Sequence, residues 1–354
     1  MAWSLQTLPS ALMPSVLHVL ATAGRRGAEV FAGSLADALA ALGWDNETVA
    51  VRAGTGELGV PVVGMRTLAR RAKAADVVLA HGSASLPASA VARVFGGAPF
   101  VYRSIGDPSV WASTPLRRLR VGLALRRAAG VVALWPEAAD FMASTYGLRR
   151  GFVTSIPNAV DVERFPPITV GERSAARERW GVAGDAPVVA VIGALSGEKD
   201  VETALRGTAL VAGAIVLVAG SGPEREALES TARAVGVDAR FLGNIDDPGT
   251  VLAAADLLVL TSRTEGMPGA VMEAGARGVP VVATDVGGVR TVIDPPTGGV
   301  VVPAGDAGAV GRAVRSLLDE RRPVGRRWLP ATYSMSAVAS EWDAALKRAR
   351  SSEL

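Results

Sequence analysis

The chain has 354 residues, with 37 Lys and Arg, 34 Asp and Glu, two His and no Cys. That length suits about two domains, and 49% hydrophobic with 20% charged residues marks folded globular material rather than disorder. The absence of Cys removes disulfides, thiolate metal sites and thiol nucleophiles, two histidines leave no multi-histidine metal centre, and a net charge of +3 is too small to argue for nucleic acid.

Mean hydropathy is +0.30, yet the apolar runs are strand-sized. Even the uncharged stretch Gly207–Pro223 is interrupted by Gly213, Gly220 and Gly222, well short of the roughly 20 residues a bilayer needs. The first 24 residues carry no Lys or Arg, so no secretory signal is read and a cytoplasmic protein is expected.

In chain order, the first half alternates apolar runs with amphipathic patterns. Strands are expected at Val16–Leu20, Asp76–Ala80, Phe100–Arg103, Val131–Leu134 and Val153–Ile156, and helices at Ala28–Leu42, Met65–Ala75, Leu86–Phe95 and Pro136–Tyr146. Thr114–Arg127 alternates Leu and Arg at helical spacing; such a helix either lies on an anionic membrane surface or packs its leucines inward and solvates its arginines. Ile156–Pro167, rich in Pro, reads as a connection between domains. The second half repeats the scheme. Its strands fall at Val188–Ile192, Ile215–Ala219, Leu257–Thr261, Pro280–Ala283 and Val300–Val302, its helices at Val201–Val211, Glu224–Val235, Gly269–Arg277, Asp306–Leu318 and Ser336–Ala349. This alternation argues an α/β protein of two doubly wound sheets. Residues 1–170 hold 17 basic against 11 acidic residues, and the remainder 20 against 23, so the first half is the basic one.

Three segments carry candidate chemistry. Val188–Asp200 leaves a strand through Gly193 into a small-residue loop ending in Lys199, one of only three lysines; free N–H groups and a cation suit a phosphate, though a surface lysine in a turn reads the same way. Gly220 and Gly222 follow the next strand, and permit either close ligand approach or a tight strand-to-helix turn. Thr261–Gly275 places Glu265 on a loop, then Gly266, Met267, Pro268 and Gly269, then Glu273 one to two turns into a helix. Two carboxylates so spaced can reach hydroxyls at two places on one ligand, with a helix N-terminus between them for an anion; otherwise they are solvated. His81 ends a strand and is either a polar group facing ligand or a structural histidine, while His18 lies mid-strand and reads as core.

The sequence Glu265-Gly-Met-Pro-Gly-Ala-Val-Met-Glu273 resembles the paired-glutamate motif of retaining GT-B glycosyltransferases of family 4. Gly27-Ala28-Glu29, Ile156-Pro-Asn-Ala-Val-Asp161, Phe241-Leu-Gly243 and Gly278–Gly288 resemble further motifs of that family in the same order. The resemblance covers roughly residues 16–350. It implies a GT-B architecture of two Rossmann-like domains facing a shared cleft: residues 1–160, joined by a C-terminal helix at 335–354, on the acceptor side, and residues 161–334 holding a nucleotide-sugar donor.

By the same resemblance, the activity is transfer of a hexosyl group from a UDP- or GDP-sugar to an acceptor hydroxyl in carbohydrate biosynthesis. Glu265 meets donor-sugar hydroxyls, Glu273 the ribose and Lys199 the diphosphate, with the Gly266–Gly269 backbone lining the pocket. Two departures stand out. Gly193 is followed by Ala194 where the family usually has Arg, and Arg103 stands near the place of a frequent cleft histidine. Arg103 either replaces the missing cation as a catalytic group or pairs with Asp107 or another local carboxylate. With no Asp-x-Asp sequence, no essential metal or other cofactor is expected. Competing readings are a non-hydrolysing sugar-nucleotide epimerase and a catalytically weak sugar-nucleotide binder.

Overall fold

Buried parallel strands must be apolar on both faces, and the continuous Val, Leu and Ile runs of this chain become two six-stranded, wholly parallel sheets. The structure is a computed structural model and describes residues 13–24, 27–54, 59–111, 114–293, 297–320 and 324–352. Its residues group into two units, 1–158 with 335–354, and 159–334.

The first unit runs β1 (Ser15–Leu20), α1 (Gly27–Ala41), β2 (Asp45–Ala50), α2 (Met65–Ala74), β3 (Val77–His81), α3 (Ser85–Val94), β4 (Phe100–Arg103), α4 (Pro108–Trp111), α5 (Pro115–Leu125), β5 (Gly130–Ala133), α6 (Pro136–Tyr146) and β6 (Val153–Ser155), in sheet order β2-β1-β3-β4-β5-β6. The second unit runs α7 (Val170–Arg179), β7 (Val188–Ile192), α8 (Val201–Thr208), β8 (Ile215–Ala219), α9 (Arg225–Val235), β9 (Asp238–Gly243), α10 (Gly249–Ala254), β10 (Leu257–Leu260), α11 (Gly269–Arg277), β11 (Val281–Thr284), α12 (Val289–Val292), β12 (Gly299–Val302) and α13 (Ala307–Asp319), in sheet order β12-β11-β10-β7-β8-β9. Finally α14 (Met335–Ser351) belongs to the first unit, where Trp342 is buried and Trp44 Nε1 donates to Asp343 Oδ1 at 2.8 Å.

Two strands were not expected, β2 and β9, and each is an edge strand. Their outer faces meet solvent, so Asp45–Ala50 and Asp238–Gly243 never form an apolar run. Helix α7, mostly polar, was missed for the same reason. Helix α8 ends at Thr208 rather than Val211, because Leu210 and Val211 bond back three residues to Gly207 and Thr208. In the second unit, Val189, Val216, Leu257 and Val282 from four strands pack with Leu205, Val310 and Val314 from α8 and α13. Burying each such side chain contributes about 1.5–3 kcal/mol. Among the described residues, no helix is long and apolar enough to cross a membrane.

Candidate functional site

In the second sheet the chain starts at β7, moves out through β8 and β9, then returns to the other side of β7 with β10. Loops leaving adjacent strands at such a reversal diverge, and ligands of these sheets bind at the opening beyond the strand carboxyl ends. Here the two loops are 193–200 after β7 and 261–268 after β10. They bring Lys199 and Glu265 together. Lys199 Nζ donates to Glu265 Oε1 at 2.6 Å, and Ser262 Oγ donates to the same oxygen at 2.6 Å.

The two loops are stitched along their length. Thr261 Oγ1 donates to the Asp200 carbonyl at 2.8 Å, the Arg263 N–H to the Glu198 carbonyl at 2.8 Å, and Arg263 Nε to Asp200 Oδ2 at 3.2 Å. Asp200 has φ of 46°, the one non-glycine with positive φ among the described residues. That conformation costs an L residue about 1–2 kcal/mol, and the contacts to Thr261 and Arg263 sustain it. They fix the backbone beside Lys199 against the Glu265 loop.

From the other side, the Gly288 N–H donates to the Gly266 carbonyl at 2.7 Å, and Thr284 Oγ1 to the Ser262 carbonyl at 2.6 Å. Gly287, at φ of 55°, lies so near that a Cβ there would stand 2.1 Å from the Glu265 carbonyl oxygen, so only glycine fits. Buried Met267 and Pro268 lead into α11 at Gly269. Glu273 Oε1 lies 3.8 Å from where a Cβ on Gly269 would be, so this carboxyl folds back over the first turn of its own helix. Burial pushes its pKa up to about 7, opposed by Arg164 and reinforced by Asp247.

Gly220 and Gly222 serve a packing purpose. A Cβ on Gly220 would stand 1.8 Å from the Gly193 carbonyl oxygen, and one on Gly222 2.2 Å from that of Leu195. The N–H groups of Gly193 and Leu195 bond the carbonyls of Ala219 and Ser221 at 3.0 and 2.9 Å. The close approach these glycines permit here is loop on loop. The Cβ position of Gly193 itself is open.

The remaining expected residues lie in the first unit, and two need correction. Arg103 is fully buried rather than presented to a diphosphate. One guanidinium nitrogen donates to Asn158 Oδ1 at 2.5 Å, another reaches His81 Nδ1 at 3.3 Å, and Cζ stands 4.0 Å over the Phe31 ring. Nor does it pair with Asp107, whose carboxylate caps Ser109. Burial lowers the Arg103 pKa to about 9, with Glu29 opposing. His81 is likewise enclosed. Its Nε2 lies 3.1 Å from His18 Nδ1, with the rings stacked at 5.4 Å, and His18 Nε2 lies 3.0 Å from Asn46 Oδ1.

Because guanidinium only donates, His81 Nδ1 must accept, which fixes every later link: His81 Nε2–H donates to His18, and His18 Nε2–H to Asn46. Asn46 Nδ2 then donates to the Trp44 carbonyl at 2.9 Å. Burial first, then the Arg103 charge, holds His81 well below its ordinary pKa, and burial lowers His18 to about 4. The core assignment of His18 is correct. In the first turn of α1, Gly27 is exposed and Ala28 half-buried, while Glu29 is buried and accepts from Thr22 Oγ1 at 3.0 Å.

Sequence reasoning passed over Ser262, Asp200 and Asn46. A hydroxyl at a strand end pointed weakly to Ser262; nothing local marked Asp200, since its strain arises from contacts with the distant 261–263 loop. Among the described residues, no cluster of three His, Asp or Glu is disposed to hold a metal ion.

Residues 186–320 match the family model described as Glycosyl transferases group 1, and residues 25–164 the model described as Glycosyltransferase Family 4. Over 232 residues the chain is 30% identical to 2-deoxystreptamine glucosyltransferase of Streptomyces kanamyceticus, covering 61% of this chain and 59% of that protein. Over 200 residues it is 32% identical to the GDP-mannose-dependent monoacylated alpha-(1-6)-phosphatidylinositol monomannoside mannosyltransferase of Corynebacterium glutamicum, covering 53% and 51%. The chain thus spans little more than half the length of these relatives. Sucrose-phosphate synthase from Thermosynechococcus elongatus superposes with a TM-score of 0.80 at 18% identity, over 96% of this chain and 100% of that one. Anabaena HepE in complex with UDP-glucose gives 0.76 at 20% identity, over 94% and 95%. The two parallel sheets are those of the GT-B fold. The chain belongs to glycosyltransferase family 4.

Proposed function

We propose that the protein is a retaining glycosyltransferase that moves a hexosyl group from a UDP- or GDP-sugar to an acceptor hydroxyl in the cytoplasm. The observation that carries this reading is the Lys199–Glu265 contact at 2.6 Å, set where the β7 and β10 loops diverge. Relatives named for glucosyl, GDP-mannose-dependent and UDP-glucose chemistry support it.

In this reading Lys199 takes the diphosphate. Cleavage of the sugar–phosphate bond concentrates negative charge on the leaving group, and a cation fixed beforehand stabilises that charge without rearranging. Glu265 accepts hydrogen bonds from donor-sugar hydroxyls and orients the anomeric carbon, while Glu273 accepts from the ribose. The departing diphosphate takes the acceptor proton as the new bond forms on the same face, which retains configuration. No protein nucleophile is required.

A second reading has a specific observation behind it. Ala194 supplies no cation and Arg103 is committed inside its own unit, which favours a sugar-nucleotide binder of low activity. Thermal-shift measurements with UDP and GDP, followed by turnover with the matching sugar donors and hydroxyl acceptors, test both. Stabilisation with turnover supports the transferase; stabilisation without turnover on any acceptor favours the binder; no stabilisation by either nucleotide overturns both.

A further inference from the structure

The turn between α6 and β6 is basic and tightly held. The Leu148 N–H donates to the Ala143 carbonyl at 2.9 Å, the Phe152 N–H to the Arg149 carbonyl at 3.1 Å, and the Val131 N–H to the Phe152 carbonyl at 2.9 Å. Arg149 and Arg150 therefore stand on fixed backbone, with their side chains exposed. A third arginine comes from α14, which packs on β3 and β4. That helix buries Trp342, Leu346 and Ala349 and leaves Arg348 exposed.

These three arginines line one cavity of about 380 Å³. Buried Val101, Val131 and Val132 form its floor near the amino ends of β4 and β5, Phe152 adds apolar wall, and Thr154 brings a hydroxyl. No acidic residue lines it, and none occurs in the sequence between Asp140 and Asp161. On α14 the nearest carboxylate, Asp343, is occupied by Lys347 Nζ and Trp44 Nε1, each at 2.8 Å. None of the three guanidiniums has a side-chain partner among the described residues. Like charges converging on a concave wall of low polarity focus a positive field, which an anion relieves.

We propose that this cavity binds a small soluble phosphate ester, with the phosphate on the three arginines and the neutral body against the valine floor. A planar guanidinium meets two phosphate oxygens at once. A monocarboxylate would leave two of the three charges unmet, whereas a phosphate monoester carries about 1.5–2 negative charges at neutral pH. The volume lies low in the roughly 300–1,000 Å³ range of small-molecule pockets, which suits an ester of sugar size; bare phosphate would leave the floor uncovered. All the lining residues belong to the first unit and the Lys199 and Glu265 loops to the second, so the proposal does not depend on glycosyl transfer. A bound ester pins the last turns of α14 to the turn before β6.

Calorimetric titration of the full chain with glucose 6-phosphate, ribose 5-phosphate and glycerol 3-phosphate tests this, with glucose and inorganic phosphate as controls. At least one ester should bind, glucose should not, and inorganic phosphate should bind at least about tenfold more weakly. Arg149→Gln, Arg150→Gln and Arg348→Gln should each weaken the ester about ten- to a hundredfold. Unchanged melting temperatures without ligand show that these variants fold, and Lys199→Ala should bind the ester like the wild type. Amide exchange in the complex should slow at residues 151–154 and in the last turn of α14. Binding of none of the esters overturns the proposal, as does binding that survives loss of all three arginines or disappears in Lys199→Ala. Equal affinity for inorganic phosphate assigns the cavity to the free anion, and a response only to phosphatidic acid vesicles assigns it to a lipid headgroup; either result overturns the soluble ester.

Discussion

Lys199 Nζ and Glu265 Oε1 stand 2.6 Å apart, so the cation assigned to a phosphate and the carboxylate assigned to a sugar hydroxyl satisfy one another. Each must loosen this partner to serve a donor. A donor carrying both groups replaces one contact with two; a nucleoside diphosphate offers only the phosphate.

This predicts an asymmetry. Glu265→Gln should bind UDP or GDP as well as the wild type or better, because Lys199 is released, while turnover falls about a hundredfold or more. Lys199→Ala should lose both. Calorimetric affinities beside steady-state rates decide it, and equal losses in Glu265→Gln would reject the assigned roles.

Arg103→Ala should act on stability. It removes the donor to Asn158 Oδ1 and to His81 Nδ1 and opens a hole over Phe31, for which a loss of about 2–4 kcal/mol is expected. Ala194→Arg in that background should not restore it, since the two positions serve different groups. Urea denaturation of the single and double variants measures this.

The paired histidines give a pH signature. Their folded pKa values lie below the unfolded 6.5, at about 4 for His18, so the unfolded chain takes up protons first as pH falls. Their stabilisation is complete above pH 6.5 and is lost downward from there, at about 1.4 kcal/mol per pH unit for each proton. His18→Gln, which can still accept and donate, should flatten the dependence of melting temperature on pH between about 4 and 6.5.

Glu273 runs the other way. With a folded pKa raised to about 7, its contribution is present below the unfolded value near 4.5 and lost as pH rises through 7. Glu273→Gln should therefore match the wild type near pH 5 and become the more stable protein by about pH 8. Donor affinity, which needs the ionised acceptor, should climb through neutral pH in the wild type and stay flat in the variant. Melting curves and donor titrations at matched pH check both.

What could be read from sequence follows burial. Strands such as Val188–Ile192 and Ile215–Ala219 are enclosed on both faces, so their letters alone mark them, and they appear with the expected ends. Asp45–Ala50 and Asp238–Gly243 sit at sheet edges, where one face is free to be polar. Lys199 and Glu265 could each be picked out because each sits on a loop beyond a recognisable strand, whereas their direct contact could not, since it depends on how two loops distant in sequence pack together. The direction in which Arg103 points was not: a strand-end arginine reads alike whether it faces outward or lies across Phe31. The Leu–Arg stretch was legible as a helix, but which of its faces is covered depends on α3, whose sequence is far away.

The row of donors from Arg103 through His81 and His18 to Asn46 and the Trp44 carbonyl runs one way across four neighbouring strands. It has polarity, like a line of magnets. At each inner position the side chain must receive on one side and give on the other, which imidazole and carboxamide groups do and carboxylates or ammonium groups do not. Drift in this sheet is therefore restricted to exchanges that keep the orientation, or to several simultaneous replacements that abandon it. Asn158, the last residue of the first unit before the chain enters the second, hangs from the same arginine. The root of the connector thus inherits the intolerance of a sheet to which it does not itself belong.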